Sequence, residues 1–120
     1  AVRKTILSVE KQSEKNERLT LWICLSYGAR TEITAAAKEV ASLGEEMTED
    51  TLRKHFWSAD MPDPDIIVRT GNEYRLSNFL LWQAAYSELF FIDTLWPEFS
   101  ESVLDHILEE YGKRERRTGK

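Results

Sequence analysis

Residues 65–83 read DIIVRTGNEYRLSNFLLWQ and contain a strand, a turn and a helix start in the order that an α/β fold requires. The run at 65–68 predicts a short buried strand, because strands covered on both faces are apolar along their length. The Gly71-Asn72 pair predicts a turn, since both residue types accept a left-handed backbone. The serine and asparagine at 77–78 can start a helix that runs to about residue 87.

The same stretch gathers groups that bind anions. Arg69 ends the predicted strand, Arg75 follows the turn and Ser77 begins the predicted helix. Arginine forks match phosphate oxygens, and the N–H groups of a helix start favour an anion, so this loop is suited to a diphosphate. An alternative stays open on spacing alone, in which Arg69 pairs with Glu73 or Asp65 and Ser77 only caps a helix.

Outside this stretch, apolar runs alternate with helical patterns. Residues 19–25 (LTLWICL) are almost wholly apolar and predict another buried strand, and residues 89–92 predict a third. Strands that alternate with helices indicate an α/β fold with a parallel sheet whose strands are covered by helices. Such sheets bind ligands beyond the carboxyl ends of their strands, which points to the loops after Leu25 and Val68.

Four further helices are predicted from apolar positions at helical spacing. The first, over residues 1–16, has its apolar positions at Val2, Ile6 and Val9, and the last has Val103, Ile107, Leu108 and Tyr111 facing inward. The expected boundary residues are Thr31 and Gly44 for the second helix, Thr48 for the third and Ser100 for the last.

The composition is that of a globular domain. The chain has 120 residues, 42% hydrophobic and 31% charged, with a net charge of −5. Residues 113–120 carry +4 and the remainder −9, and this acidic body argues against general nucleic-acid binding. The single cysteine, Cys24, excludes a disulfide framework and a multi-cysteine zinc site.

Glu88 stands out as an acidic residue within the apolar run AAYSELFFI. A carboxylate among apolar neighbours needs a partner. Mg²⁺ prefers such oxygen ligands, although one carboxylate is a weak magnesium signal, and a salt bridge to an arginine is the alternative.

Several of these segments together resemble one family. RTGNEYRLSNFLLWQ at 69–83, YSEL at 86–89 and LWP at 95–97 closely resemble the signature of the cis-prenyltransferases, of which the bacterial undecaprenyl diphosphate synthases are the best-known members. LWICLSYGAR at 21–30 is similar to the family's strand and Asn-Tyr-Gly-Gly-Arg turn. RERRTG at 114–119 is similar to its arginine-rich end with an Arg-x-Gly motif. The resemblance covers essentially the whole chain and implies the parallel-sheet cis-prenyltransferase fold.

The resemblance also implies roles for individual residues. The residues that would bind isopentenyl diphosphate are Arg69, Arg75, Leu76, Ser77, Arg117 and Gly119. Of these, the Arg117-Thr118-Gly119 motif would reach the site of the partner subunit in a homodimer. Glu88 would help to hold Mg²⁺, the implied cofactor.

Four positions depart from the family pattern. Asn72 replaces a glycine, and Ser26 and Ala29 replace the asparagine and second glycine of the Asn-Tyr-Gly-Gly-Arg turn. Tyr74 replaces a histidine that many bacterial members have, so the resemblance implies no metal or phosphate role for this position.

Family members are about twice as long as this chain. Their N-terminal half carries an Asp-Gly-Asn-Gly-Arg-Trp motif whose aspartate is required for catalysis, and no such motif occurs in residues 1–120. We therefore expect residues 1–120 to be the C-terminal half of a single domain, which would be inactive alone. The catalytic aspartate would lie outside this chain.

The implied reaction condenses isopentenyl diphosphate onto an allylic diphosphate such as farnesyl diphosphate, giving a polyprenyl diphosphate such as undecaprenyl diphosphate. A non-catalytic accessory subunit and a phosphate-binding module of another family are the alternatives. We expect a cytoplasmic location with at most peripheral membrane association and no nucleic-acid partner.

Overall fold

The computed structural model describes residues 2–114. Its elements, in chain order, are α1 (Val2–Ser13), α2 (Ala29–Leu43), α3 (Glu49–Lys54), β1 (Ile66–Arg69), β2 (Glu88–Phe91), a 3-10 turn (Trp96–Glu98) and α4 (Glu101–Lys113). The helices and the two strands confirm the predicted α/β class.

The sheet of the described residues consists of β1 and β2 side by side. The two strands run parallel, with Ile66 opposite Glu88 and Arg69 opposite Phe91. The amide of Ile92 donates to the carbonyl of Arg69 at 2.9 Å and continues the ladder beyond the strand. This pairing confirms the strands predicted at 65–68 and 89–92, and it places their carboxyl ends at one edge.

The predicted buried strand at residues 19–25 is wrong for this structure. This segment forms no strand, and Leu19, Leu21 and Ile23 are 80%, 76% and 70% exposed. A strand covered on both faces needs ladder neighbours and covering helices. Within residues 2–114, β1 and β2 pair only with each other, so the apolar segment has no ladder.

The first helix is confirmed, but it buries none of its residues. Val2, Ile6 and Val9 are all exposed in α1. On α4, Ile107 is buried as predicted, whereas Leu108, expected to face inward, is 48% exposed. Leu108 follows Ile107 directly and lies about 100° further round the helix, away from the buried position.

Most predicted helix ends are confirmed. Thr48 accepts a hydrogen bond from the amide of Thr51 at 3.1 Å, and Ser100 accepts one from Val103 at 3.4 Å. Gly44 ends α2 with a left-handed backbone, φ 67°. The start of α2 is the exception, because its N-cap is Gly28 and not Thr31.

The helix predicted over residues 77–87 does not form. Ser77, Asn78 and Leu80 have φ values of 49°, 66° and 46°, in the left-handed region. A right-handed helix cannot contain such residues, so the segment is a series of turns that precedes β2. One α-type hydrogen bond occurs in it, from the amide of Ala84 to the carbonyl of Leu80 at 2.8 Å.

A small apolar cluster lies beneath these turns. Ile67 of β1 packs with Leu80 and Ala84, and all three are buried. The half-buried side chains of Tyr27, Met61 and Leu76 pack against the cluster. The core therefore joins the sheet directly to the segment that follows the turn at 71–72.

A buried carboxylate joins three distant segments of the chain. Glu32 of α2 is 1% exposed. Its Oε1 accepts from the amide and hydroxyl of Ser58 at 2.9 and 2.8 Å, and its Oε2 accepts from Gln83 at 3.0 Å and from the Tyr27 hydroxyl. No ion pair to Glu32 occurs among residues 2–114, so neutral donors alone stabilise its charge.

The hydrogen bonds determine the ionisation state of this cluster. Burial by itself would raise the pKa of Glu32, but donors from Tyr27, Gln83 and Ser58 outweigh it and lower the pKa below the ordinary value. Burial, together with donation to the nearby Glu32 carboxylate, raises the pKa of Tyr27 far above its ordinary value. Glu32 is therefore charged and Tyr27 neutral at neutral pH.

Replacing Glu32 by alanine leaves several buried donors without an acceptor. Each such group costs about 1–3 kcal/mol, so we expect E32A to lower the free energy of unfolding by about 3 kcal/mol or more at pH 7. Denaturant unfolding measures the change. The control is E39A on the exposed face of the same helix, expected to change stability by less than about 0.5 kcal/mol. Equal effects of the two substitutions would contradict the assigned network.

The lowered pKa of Glu32 also predicts a pH dependence. Stability from a carboxyl group whose folded pKa is depressed is present above its unfolded pKa and is lost as pH falls through the folded value. We expect the stability difference between the wild type and E32Q to be constant near neutral pH and to shrink below about pH 4. Unfolding curves between pH 7 and pH 2.5 measure it. A difference that grew on acidification would be inconsistent with a charged Glu32.

Candidate functional site

Arg69 lies at the carboxyl end of β1, as predicted. It is half-buried, and its carbonyl is held by the amide of Ile92. The carboxyl edge of a parallel sheet is where ligands of such folds bind. The backbone of this arginine is therefore fixed at the edge where a ligand would approach.

The turn after β1 has the left-handed geometry that its sequence predicts. Gly71 has φ 85° and Asn72 has φ 57°. Their amides donate to the carbonyls of Thr94 and Ile92 at 3.0 and 2.9 Å. These two bonds tie the turn to the chain leaving β2, so the backbone ahead of Arg75 is anchored to that chain.

Arg75 forms an exposed ion pair with Glu73. Its side chain is 63% exposed and that of Glu73 is 41% exposed. The alternative considered from the sequence paired Arg69 with Glu73 or Asp65, and the structure gives Glu73 to Arg75 instead. An exposed pair of this kind is worth at most about 1 kcal/mol, so Arg75 can exchange Glu73 for an anionic ligand at little cost.

Ser77 is exposed and has a left-handed backbone. Because no helix begins there, the expected contribution of helix N–H groups to the anion site is wrong, and so is the alternative in which Ser77 only caps a helix. Leu76 packs on the apolar cluster beneath the turns. The structure thus places Arg69, Arg75 and Ser77 on one segment that starts at the sheet edge, but without a helix dipole behind it.

A cleft of about 570 Å³ opens beside this segment. It is lined by Asn72 and Tyr74, by the end of β2 and the chain after it, and by residues of α4. Tyr74 is 72% exposed and its ring lies 5.7 Å from that of Phe91. The position where the family pattern often has histidine is thus an aromatic wall of the cleft.

Glu88 lies at the opposite end of the sheet from Arg69. It is the first residue of β2, and the two strands are in register, so roughly 10 Å of strand separates it from the level of Arg69. Its Oε2 accepts a hydrogen bond from Arg114 at 2.7 Å. Glu88 is therefore paired with an arginine, as its alternative interpretation proposed, although the partner comes from the end of α4.

Arg114 contacts three successive residues of β2. Besides Glu88, it donates to the carbonyl of Leu89 at 3.3 Å, and its guanidinium lies 3.9 Å from the centre of the Phe90 ring. Stacking on an aromatic face adds to the ion pair. The contacts attach the C-terminal end of α4 to the amino end of β2.

The described residues do not by themselves fit a magnesium ion. Residues 2–114 contain no group of three or more acidic, histidine or cysteine side chains that could hold a metal. One carboxylate with an arginine on one of its oxygens falls short of the several oxygen ligands that Mg²⁺ takes. Any further ligands would have to come from elsewhere.

Two of the predicted site residues, Arg117 and Gly119, lie outside the described residues. Within the described part, no helix is long and apolar enough to cross a membrane.

Three residues with long-range roles were missed by sequence reasoning: Glu32, Asn78 and Arg114. Glu32 follows a helix start and has the pattern of an ordinary solvated residue, so only its burial reveals it. Asn78 accepts from the amides that begin α2. Arg114 was assigned only to the basic segment 113–120 and its arginine-rich motif, with no contact to β2. No local sequence pattern signals contacts between residues so far apart.

The chain matches proteins of one family. The Prenyltransf family model, of undecaprenyl diphosphate synthases, matches residues 1–119. An isoprenyl transferase of Fusobacterium nucleatum is 44% identical over 98% of this chain and 51% of its own length. A farnesyl-diphosphate-specific ditrans,polycis-undecaprenyl-diphosphate synthase of Xylella fastidiosa is 43% identical over 99% of this chain and 49% of its own length.

The fold of the chain is also similar to that of a solved structure. Lavandulyl diphosphate synthase from Lavandula x intermedia, in complex with dimethylallyl diphosphate, superimposes with a TM-score of 0.90 and 30% identity, covering 98% of this chain and 54% of that one. The chain spans about half the length of the relatives it matches. With the sequence signature, the parallel α/β fold and these matches in agreement, the chain belongs to the cis-prenyltransferase family of undecaprenyl diphosphate synthases.

Proposed function

We propose that this chain is the isopentenyl-diphosphate-binding part of a cis-prenyltransferase that extends an allylic diphosphate, such as farnesyl diphosphate, to a polyprenyl diphosphate. The observation that carries the proposal is the segment 69–77, in which Arg69 lies at the carboxyl edge of a parallel sheet and the exposed Arg75 and Ser77 follow after the turn. Names of related proteins support the substrate class, since a Xylella relative is called farnesyl-diphosphate specific.

In this proposal the chain's own residues bind and orient the substrate. Arg69 and Arg75 hold diphosphate oxygens by charge-assisted hydrogen bonds, and Ser77 donates its hydroxyl to another. Arg75 leaves Glu73 to do so. A fixed diphosphate restricts where the attached alkene can lie, and such orientation lowers the entropic cost of its attack on the allylic carbon. Groups that assist departure of the allylic diphosphate are proposed to lie outside residues 2–114.

We also propose Mg²⁺ as the cofactor, with Glu88 as one of its ligands. The proposal rests on the family resemblance, and it requires ligands from outside the described residues. A divalent ion of this kind supplies charge stabilisation to phosphate oxygens. Homodimer formation, with Arg117 and Gly119 reaching the other subunit, is proposed on the same resemblance.

Removing either arginine tests substrate binding. In the full-length protein we expect R69A and R75A each to raise the KM for isopentenyl diphosphate by about tenfold or more, because a charge-assisted bond contributes about 1.5–3 kcal/mol. The assay measures transfer of labelled isopentenyl diphosphate onto farnesyl diphosphate. The control is R53A, which removes an arginine bound to the 58–63 loop. An unchanged KM in both arginine variants would exclude the assignment of Arg69 and Arg75 to substrate binding. If the wild-type protein transfers nothing itself and only stimulates transfer by a partner subunit, it is an accessory subunit.

Neutralising Glu88 tests the metal proposal. We expect E88Q to raise the Mg²⁺ concentration for half-maximal activity several-fold, since an amide is a weaker ligand for a hard cation than a carboxylate. The matched control is E110Q. Like Glu88, Glu110 is a carboxylate in an ion pair, in its case with Lys113 at 2.7 Å. The metal role fails if both variants titrate with Mg²⁺ as the wild type does.

A further inference from the structure

Asn78 caps the amino end of α2, which lies far from it in the sequence. Its carbonyl accepts from the amide of Ala29 at 2.8 Å, and its Oδ1 accepts from the amide of Arg30 at 2.9 Å. The first amides of a helix have no partner within the helix, and the N-cap Gly28 has no side chain to supply one. A residue 48 positions away takes over the capping role.

The backbone at Asn78 suits this task. Its φ of 66° lies in the left-handed region, where asparagine is among the few residues readily accepted. Its carbonyl and its side-chain oxygen thereby reach two successive amides of α2. Ser77 directly precedes Asn78 and also has a left-handed backbone. Because the two residues are adjacent, the hydrogen bonds from α2 to Asn78 restrict the position of Ser77 as well.

Gly28 is the steric counterpart of Asn78. A Cβ at Gly28 would lie 2.8 Å from Nδ2 of Asn78, which is closer than such atoms can approach. Gly28 itself has φ −148° and ψ 120°, an extended conformation open to any residue. A side chain at position 28 would therefore force the amide of Asn78 to shift, while the backbone of Gly28 itself demands no glycine.

A second attachment holds the same segment further along. Gln83 donates to the buried Glu32 at 3.0 Å, and Phe79 packs edge-on against Tyr27 with ring centres 6.0 Å apart. Residues 78–83 are thus fastened at both ends to α2 and the turn before it. The exposed part of the candidate site, from Arg75 to Ser77, emerges directly from the first attachment.

We propose that Asn78 is a positioning residue, and that its contact with α2 across Gly28 holds Ser77 and Arg75 where they bind the diphosphate. The proposal rests on the function proposed above for these two residues. Asn78 acts through its neighbours, since its carbonyl oxygen and its Oδ1 both accept hydrogen bonds from amides of α2. Loosening the contact weakens binding of the diphosphate but leaves the groups that assist departure of the allylic diphosphate untouched, so we expect the larger change in KM and only a small one in kcat.

Two substitutions break the contact from opposite sides. G28A inserts a Cβ that displaces the amide of Asn78, and it changes neither charge nor any residue of the binding segment. N78G removes the side-chain acceptor and keeps a residue that accepts φ 66°. In the full-length protein, we expect each to raise the KM for isopentenyl diphosphate by about three- to tenfold, with kcat within about twofold of wild type.

The double variant G28A/N78G identifies the mechanism. Without the amide at position 78, the added methyl has nothing to displace, so we expect its KM to match that of N78G alone. T48A is the matched control, because it removes the cap of α3 at a comparable cost in stability, and we expect it to leave the KM unchanged. Hydrogen exchange of the Arg30 amide provides a readout independent of activity, and it should accelerate in G28A and N78G.

The outcomes separate this proposal from the one on which it rests. A raised KM in R69A together with a wild-type KM in G28A and N78G overturns the positioning role alone. The positioning role is also overturned if the increases in KM from G28A and N78G multiply in the double variant. It is overturned as well if T48A raises the KM as much as these variants do. If the wild-type protein neither binds nor transfers isopentenyl diphosphate, the proposed function fails, and the positioning role fails with it.

Discussion

The Glu32 carboxylate is buried without a cation among the described residues, and this constraint organises the rest of the structure. A charged group in the interior is tolerable only when donors surround it. Those donors come from the turn before α2, from the loop at Ser58 and from Gln83. Three segments that are distant in sequence must therefore meet at one point before the carboxylate can be buried.

That meeting point determines what lies beneath the candidate site. Gln83 fastens the far end of the turns that follow Arg75, and Asn78 fastens their near end to α2. The side chains proposed to bind the diphosphate extend from this anchored stretch, while Leu76 packs into the apolar cluster. Arg75 and Ser77 are exposed, so their positions depend on the backbone that carries them more than on contacts of their own.

The parallel pairing of β1 and β2 puts a basic and an acidic side chain at opposite ends of the sheet. Arg69 is at the carboxyl edge and Glu88 is at the amino edge, where Arg114 neutralises it. The proposed anion site and the acidic Glu88 therefore lie at opposite ends of one short sheet. For Glu88, the arrangement makes any metal role dependent on ligands beyond residues 2–114.

The sequence by itself determined the features that depend on near neighbours: the two strands, the caps at Thr48 and Ser100, and the left-handed turn at 71–72. These follow from local sterics and hydrogen bonding, and the family follows from its long ungapped signature. Only the tertiary structure decided that the segment after Ser77 is not a helix, that Glu32 is buried, and that 19–25 has no ladder. Each depends on which distant groups meet, because hydrogen-bond partners 25 to 51 residues apart leave no periodic pattern along the chain.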